Sequence, residues 1–351
     1  MNNRSLIAII TVLVLACTCT TAFAKDVWRL TMSGHTLTSE EVESLEKQIE
    51  KNPNDITSRT KLLGYYFIEN LQNQSAREAR QKHILWLILN SPESEVLATP
   101  YGQLNVVMDK EAYSQGKKAW INQLKTKPAN LKLLENSANF FVIYDRELAV
   151  ESIQTARSLD MENPKWPQKL GHLYSLGMIT KSLKAKTNAA GKALEQYEIA
   201  YKLSTDSQLE YLLLLQSLAK VSLAAGKPQK AKEYAEKMLS QNSSGFNYGN
   251  NIHYGNIILG RIALASNDIE QAKKRLIEAG KTLGSSRLKS FDPSMALANE
   301  LLKKGEKDVV LEYFELCSKF WKRSMNLQKL HKWSAEVKEG KIPDFGYNLN
   351  R

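Results

Sequence analysis

Metal binding and acid–base catalysis need several ligands or titratable groups brought together. The five histidines of this 351-residue chain, His35, His83, His172, His253 and His331, are scattered, with no His-x-x-x-His or Glu-x-x-His pair among them. The chain has no Gly-x-Ser-x-Gly, no phosphate loop, and no Cys-x-x-Cys beyond the N-terminal segment. The expectation is a protein with no catalytic residue, no metal and no cofactor. Cys317 reads as a small buried hydrophobe rather than a nucleophile. In "NYGNNIHYGN", residues 247–256, Asn250 and Asn251 read as capping and turn residues and His253 as structural.

Two basic stretches have binding rather than catalytic chemistry. Residues 163–194 contain six lysines and no acid, and residues 316–335 hold Lys319, Lys322, Arg323, Lys329 and Lys332 beside Trp321 and Trp333. Each reads either as a solvated helix face or as a contact for an anionic surface, with Lys181, Lys184 and Lys186 the candidates in the first stretch.

The N-terminus restricts where such a contact could occur. MNNR, an apolar run of 11 residues from Leu6 to Ala16, and a small-x-small site at Ala22-Phe23-Ala24 have the layout of a secretory signal, too short for a membrane span. Cleavage after Ala24 would start the mature chain at Lys25. Val14-Leu15-Ala16-Cys17 also resembles a bacterial lipobox, so lipidation of Cys17 is the alternative. Removing Arg4 with the signal takes the net charge from +11 to +10. A basic balance would suit nucleic acid, but export argues for no nucleic acid and for acidic partners or anionic envelope surfaces instead. Only Cys317 is certain to stay in the folded body, so no disulfide framework exists and stability must come from packing.

Those surfaces are positioned by repeats. A small or apolar register recurs at Ala76, Ala112, Ala149, Ala193, Ala231, Ala272 and Val310, at spacings of 36, 37, 44, 38, 41 and 38 residues. Twelve residues earlier stands a second small residue: Gly64, Ala219, Gly260 and Ala298, before Ala76, Ala231, Ala272 and Val310. Glycine within a helix costs about 1 kcal/mol relative to alanine. Close approach of two antiparallel helices, Gly64 facing Ala76, would offset that cost. Turn signals fall in the same phase at Gly226-Lys227-Pro228, Asn267-Asp268 and Gly305-Glu306, and Ser75 with Glu78 and Asp268 with Gln271 read as capping boxes.

These residues, and "ARSLDMENPKWPQKLGHLY" (156–174) most closely, resemble tetratricopeptide repeats, in a bacterial exported subgroup with no activity we can assign. The resemblance covers nearly all of residues 38–318 and implies an all-α, right-handed α-solenoid of about seven helical hairpins over 53–318. Residues 25–52 would form an N-terminal segment and capping helix, and 319–351 a capping helix and tail. Pro100 breaks the second inner helix, and the fourth repeat carries an insertion at 178–190.

In such solenoids the inner helices line a groove, and the resemblance places Tyr65, Asn139, His172, Lys220, Arg261 and Asn299 along it, with Lys61, Gln168, Gln216 and Ile257 four places before their partners. Polar throughout and without an acid, the row suits a protein or peptide partner, an acidic one in particular. The rival is an accessory protein that binds an anionic envelope polymer or membrane surface through residues 163–194. Repeat scaffolds share core positions while their groove residues differ, so the partner's identity and the oligomeric state are not legible.

Overall fold

The computed structural model describes residues 22–180, 182–204, 208–241, 248–282, 284, 285, 288, 289 and 293–350. Most of the segment read as a signal, including Cys17, lies outside these residues, as does Lys181. Every regular element among them is an α-helix or a 3-10 turn. The chain forms two compact units, Met1–Met161 and Glu162–Arg351, where the sequence reading draws one solenoid over 53–318. Within each, helices pack mainly on their neighbours in sequence, the mark of stacked helical hairpins.

In the first unit, α1 (Ala22–Gly34) packs on α3 (Ile56–Glu69), and α2 (Ser39–Lys51) packs on α3 as well. Thr38 and Glu41 close a capping box at the start of α2. A methyl group on Gly64 would stand 1.9 Å from the Thr31 carbonyl oxygen, and one on Gly34 would stand 2.1 Å from that of Lys61. Gly64 therefore admits the backbone of α1, which corrects the expectation that its bare face serves Ala76. That expectation failed because α1 lies outside the repeat register. The helix that follows, α4 (Gln74–Asn90), is capped by Asn73, whose side chain accepts from the Ala76 amide, and not by Ser75. Glu46 accepts hydrogen bonds from the Tyr66 hydroxyl at 2.6 Å and from His83 Nε2 at 2.8 Å, while Arg59 donates to His83 Nδ1 at 3.0 Å. This buried network ties α2 to α3 and α4.

Around Pro100 the chain makes two 3-10 turns, Glu95–Ala98 and Pro100–Gly102, before α5 (Lys110–Thr126), α6 (Leu131–Phe141) and α7 (Arg146–Leu159). A proline cannot continue the amide ladder, so the carbonyls here need other donors. Buried Arg80 donates to the carbonyls of Tyr101 and Gln103, Asn136 to those of Pro92 and Ser94, and Asn139 to that of Leu97.

The second unit repeats one hairpin: α8 (Lys165–Leu176) with α9 (Leu183–Leu203), α10 (Gln208–Ala224) with α11 (Pro228–Ser240), α12 (Tyr248–Ala265) with α13 (Ile269–Gly280), and α14 (Ala296–Leu302) with α15 (Lys307–Ser318). Gly226, Asn267 and Gly305 adopt φ of 70°, 62° and 89° at the three later turns. In each, the next residue's amide reaches back to close a wide helix-end turn: Lys227 to Ser222, Asp268 to Ala263 and Glu306 to Leu301. Residues 183–190 of the insertion are not loop but the first two turns of α9.

Small residues again set the helix spacing. A methyl on Gly171 would lie 2.7 Å from the Tyr197 ring, and one on Gly260 would lie 2.3 Å from Leu297 and 3.4 Å from the Ala272 carbonyl. Asn250 and Asn251 are buried within α12, not at its cap. His253 is also buried there: its Nδ1 donates to the Ala279 carbonyl at 3.0 Å and its Nε2 accepts from the Ser294 amide at 2.9 Å. After α16 (Ser324–Lys338), Phe345 packs on Phe314 and Trp333. Asn348 donates to the Pro293 carbonyl, and the tail thereby covers the end of the stack.

Gly64→Ala should lower unfolding free energy by at least about 2 kcal/mol in urea denaturation, because backbone cannot yield to the new methyl. Gly191→Ala, inside α9 with nothing within 4 Å, should raise it by up to about 1 kcal/mol. Burial pushes His253 down to about 4 from 6.5. The unfolded chain therefore takes up the proton first, and this contribution is complete above pH 6.5 and lost as pH falls towards 4. Between pH 7.5 and 4.5 the native protein should lose roughly 2–3 kcal/mol more stability than His253→Gln.

Candidate binding surfaces

The residues read as a groove fall in both units. In the first, Lys61 and Tyr65 lie on α3 with their backbones against Gly34 of α1, and the Tyr65 ring sits edge-on to Tyr66. The chain's own N-terminal helix thus covers part of this face. Asn139 holds the Leu97 carbonyl at 2.8 Å, and Gln103 donates to its carbonyl in turn. It braces the Pro100 segment.

In the second unit, Gln168 and His172 stand on α8, Gln216 and Lys220 on α10, Ile257 and Arg261 on α12, and Asn299 on α14. The helices α10, α12 and α14 pack side by side, which brings the later members of this row together. Arg261 reaches across one repeat to Glu300 and donates to both carboxylate oxygens, at 2.7 and 2.9 Å to one and 3.1 Å to the other. The acid was missed because the groove was drawn from the position after each small residue and the one four places before it, and Glu300 stands one place further on. His172 is held below the ordinary imidazole range by burial, with Lys169 adding to the effect, so it is neutral near pH 7. Lys220 is itself engaged, and Ile257 is buried. Gln168, Gln216 and Asn299 are half-buried, and their side chains make no hydrogen bond to a described residue. The row is therefore polar and close to charge-balanced rather than a line of cations.

Lys184 is exposed and Lys186 half-exposed on the first turns of α9. Trp321 and Trp333 stack in the core with centroids 6.1 Å apart. Lys329 turns to the Tyr347 hydroxyl at 3.2 Å, and Lys332 to Glu336 at 3.8 Å. The remaining cations of that stretch, Lys319, Lys322 and Arg323, join Lys281 and Lys289 around a cavity of about 670 Å³. No sequence pattern joins these five, since the packing of α13 on α15 unites segments some 30–40 residues apart. Cys317 is buried, and burial pushes its thiol well above the usual range, so it is no nucleophile. No group of three or more His, Cys, Asp or Glu side chains among the described residues could hold a metal ion.

No protein-family model matches the chain, and no curated protein matches it. Among solved structures, one from a functional characterisation of Pseudomonas aeruginosa PilF superposes with a TM-score of 0.38 at 17% identity, covering 73% of this chain and 98% of that one.

Asn139→Ala should cost about 1–3 kcal/mol of stability by urea denaturation, because it strands a buried carbonyl. Gln216→Ala, which breaks no hydrogen bond to a described residue, should stay within about 0.5 kcal/mol of native. Equal costs would place Gln216 in the packing and not on a free face.

Proposed function

We propose that the chain is an exported, non-enzymatic scaffold whose second unit docks a protein or peptide across the first helices of its hairpins. One observation carries the reading: on three of the four first helices, α8, α10 and α14, Gln168, Gln216 and Asn299 present half-buried amides that make no hydrogen bond to a described residue, and neutral His172 stands one turn from Gln168 on α8. A repeated row of donors and acceptors suits an extended polypeptide, whose own amides recur with a regular rise. Because Arg261 is matched by Glu300, the preference we assign is for a polar peptide rather than an acidic one.

Export is part of the proposal. Cleavage after Ala24 leaves residues 25–34 of α1, including Thr31 and Gly34, to pack on α3, so processing is compatible with the fold. N-terminal sequencing of the mature protein should begin at Lys25. A blocked, acylated Cys17 would replace that route with the lipoprotein one.

A photocrosslinking residue placed at Gln216 or Gln168 in cells should yield one discrete polypeptide adduct, absent when the same residue replaces exposed Glu233 on α11. Adducts that are equal from both faces, or that contain only lipid or polymer, would contradict the proposal.

A further inference from the structure

The cation-rimmed cavity of the second unit has no part in the row of amides. Its floor is apolar, from Leu316 and Phe320, and Lys281, Lys289, Lys319, Lys322 and Arg323 stand around it. Among the described residues no carboxylate lines it. Lys281 pairs with Glu278 at 2.8 Å on its own helix, while the other four make no ion pair with a described residue. Bringing like charges around one concavity raises the local potential by several kT, and an anion entering it relieves that repulsion.

The close approach that builds the cavity is fixed by two glycines. A methyl on Gly280 would lie 2.8 Å from Leu316, and one on Gly284, at φ 79°, would lie 2.8 Å from Phe320. A larger residue at Gly280 would press on Leu316 of α15, and one at Gly284 would displace Phe320, so either would open the floor.

We propose that this cavity binds a phosphate monoester carrying an apolar substituent, with the phosphoryl group among the cations and the substituent on Leu316 and Phe320. Four cations without a carboxylate partner among the described residues call for more than one negative charge, which a carboxylate cannot supply. A phosphate monoester carries close to two above its second pKa near 6. Lysine ammonium groups bind phosphate as point charges and need no planar match. The volume lies within the range usual for small-ligand sites, roughly 300–1,000 Å³. Such an ester could come from a soluble metabolite or from the headgroup of a phosphatidic-acid-type lipid.

Isothermal titration of the mature protein with hexyl phosphate, inorganic phosphate and hexanoate tests the class. Hexyl phosphate should bind at least tenfold more tightly than either of the others, and its binding should tighten as pH rises from 5 to 7.5. The three exposed changes Lys319→Gln, Lys322→Gln and Arg323→Gln, made together, should weaken it at least tenfold without altering the melting temperature. Co-flotation with vesicles containing phosphatidic acid, absent with phosphatidylcholine alone and lost in the triple variant, identifies a membrane source. Hexyl phosphate binding without co-flotation identifies a soluble ester. Equal affinity for hexyl phosphate and hexanoate, or native affinity in the triple variant, overturns the proposal. Neither result depends on what crosslinks to Gln216, so the two surfaces stand or fall separately.

Discussion

Backbone approach at small residues decides how closely successive helices of this chain pack, and the depth of that packing sets what each face has left to offer. At Gly64 and Gly34 two helices meet almost backbone to backbone. At Gly171 and Gly260 a helix admits the ring of Tyr197 or the side chain of Leu297. Each contact gains dispersion and apolar burial along two whole helices, which outweighs the lost helix propensity of one glycine. No single hairpin could hold its apolar stripe away from water, so neighbours must supply the other wall.

The same constraint separates structural polar groups from available ones. Where the repeat is regular, as from α10 to α15, helix ends close on themselves at Gly226, Asn267 and Gly305, and Gln216 and Asn299 on the first helices make no hydrogen bond to a described residue. Where Pro100 interrupts it, Arg80, Asn136 and Asn139 are drawn in to satisfy carbonyls that have lost their helix partners. A residue at a nominal groove position thus keeps its polar atoms exposed or braces its own chain according to whether its neighbours are helical.

Much of the fold was legible because it is local and periodic. The turn signals, the register of small residues and the N-cap at Asp268, whose side chain accepts from the Gln271 amide, act within a few residues or at a fixed spacing. The site was less legible for a physical reason: its determining contacts join residues with no periodic relation or at positions outside the register followed. Thr31 meets Gly64 from a helix that belongs to no repeat. Glu300 neutralises Arg261 from one place beyond the position read as lining the groove, and Lys281 and Lys289 join Lys319, Lys322 and Arg323 only once α13 packs on α15. The Asn250 and Asn251 pair was misread because amide-rich sequence usually marks a turn, whereas here Asn250 accepts from the Ser285 hydroxyl inside the core.

Nearest-neighbour stacking, the claim on which both binding surfaces rest, is tested most directly by native-state hydrogen exchange on a Trp333→Ala protein. Emptying that position at the end of the second unit should speed amide exchange in α15, α16 and the α13 and α14 segments beside them, and should leave α8 and α9 at native rates. If α8 and α9 exchange faster by the same factor, the unit opens as one cooperative core, and its faces cannot be treated as products of stacked hairpins.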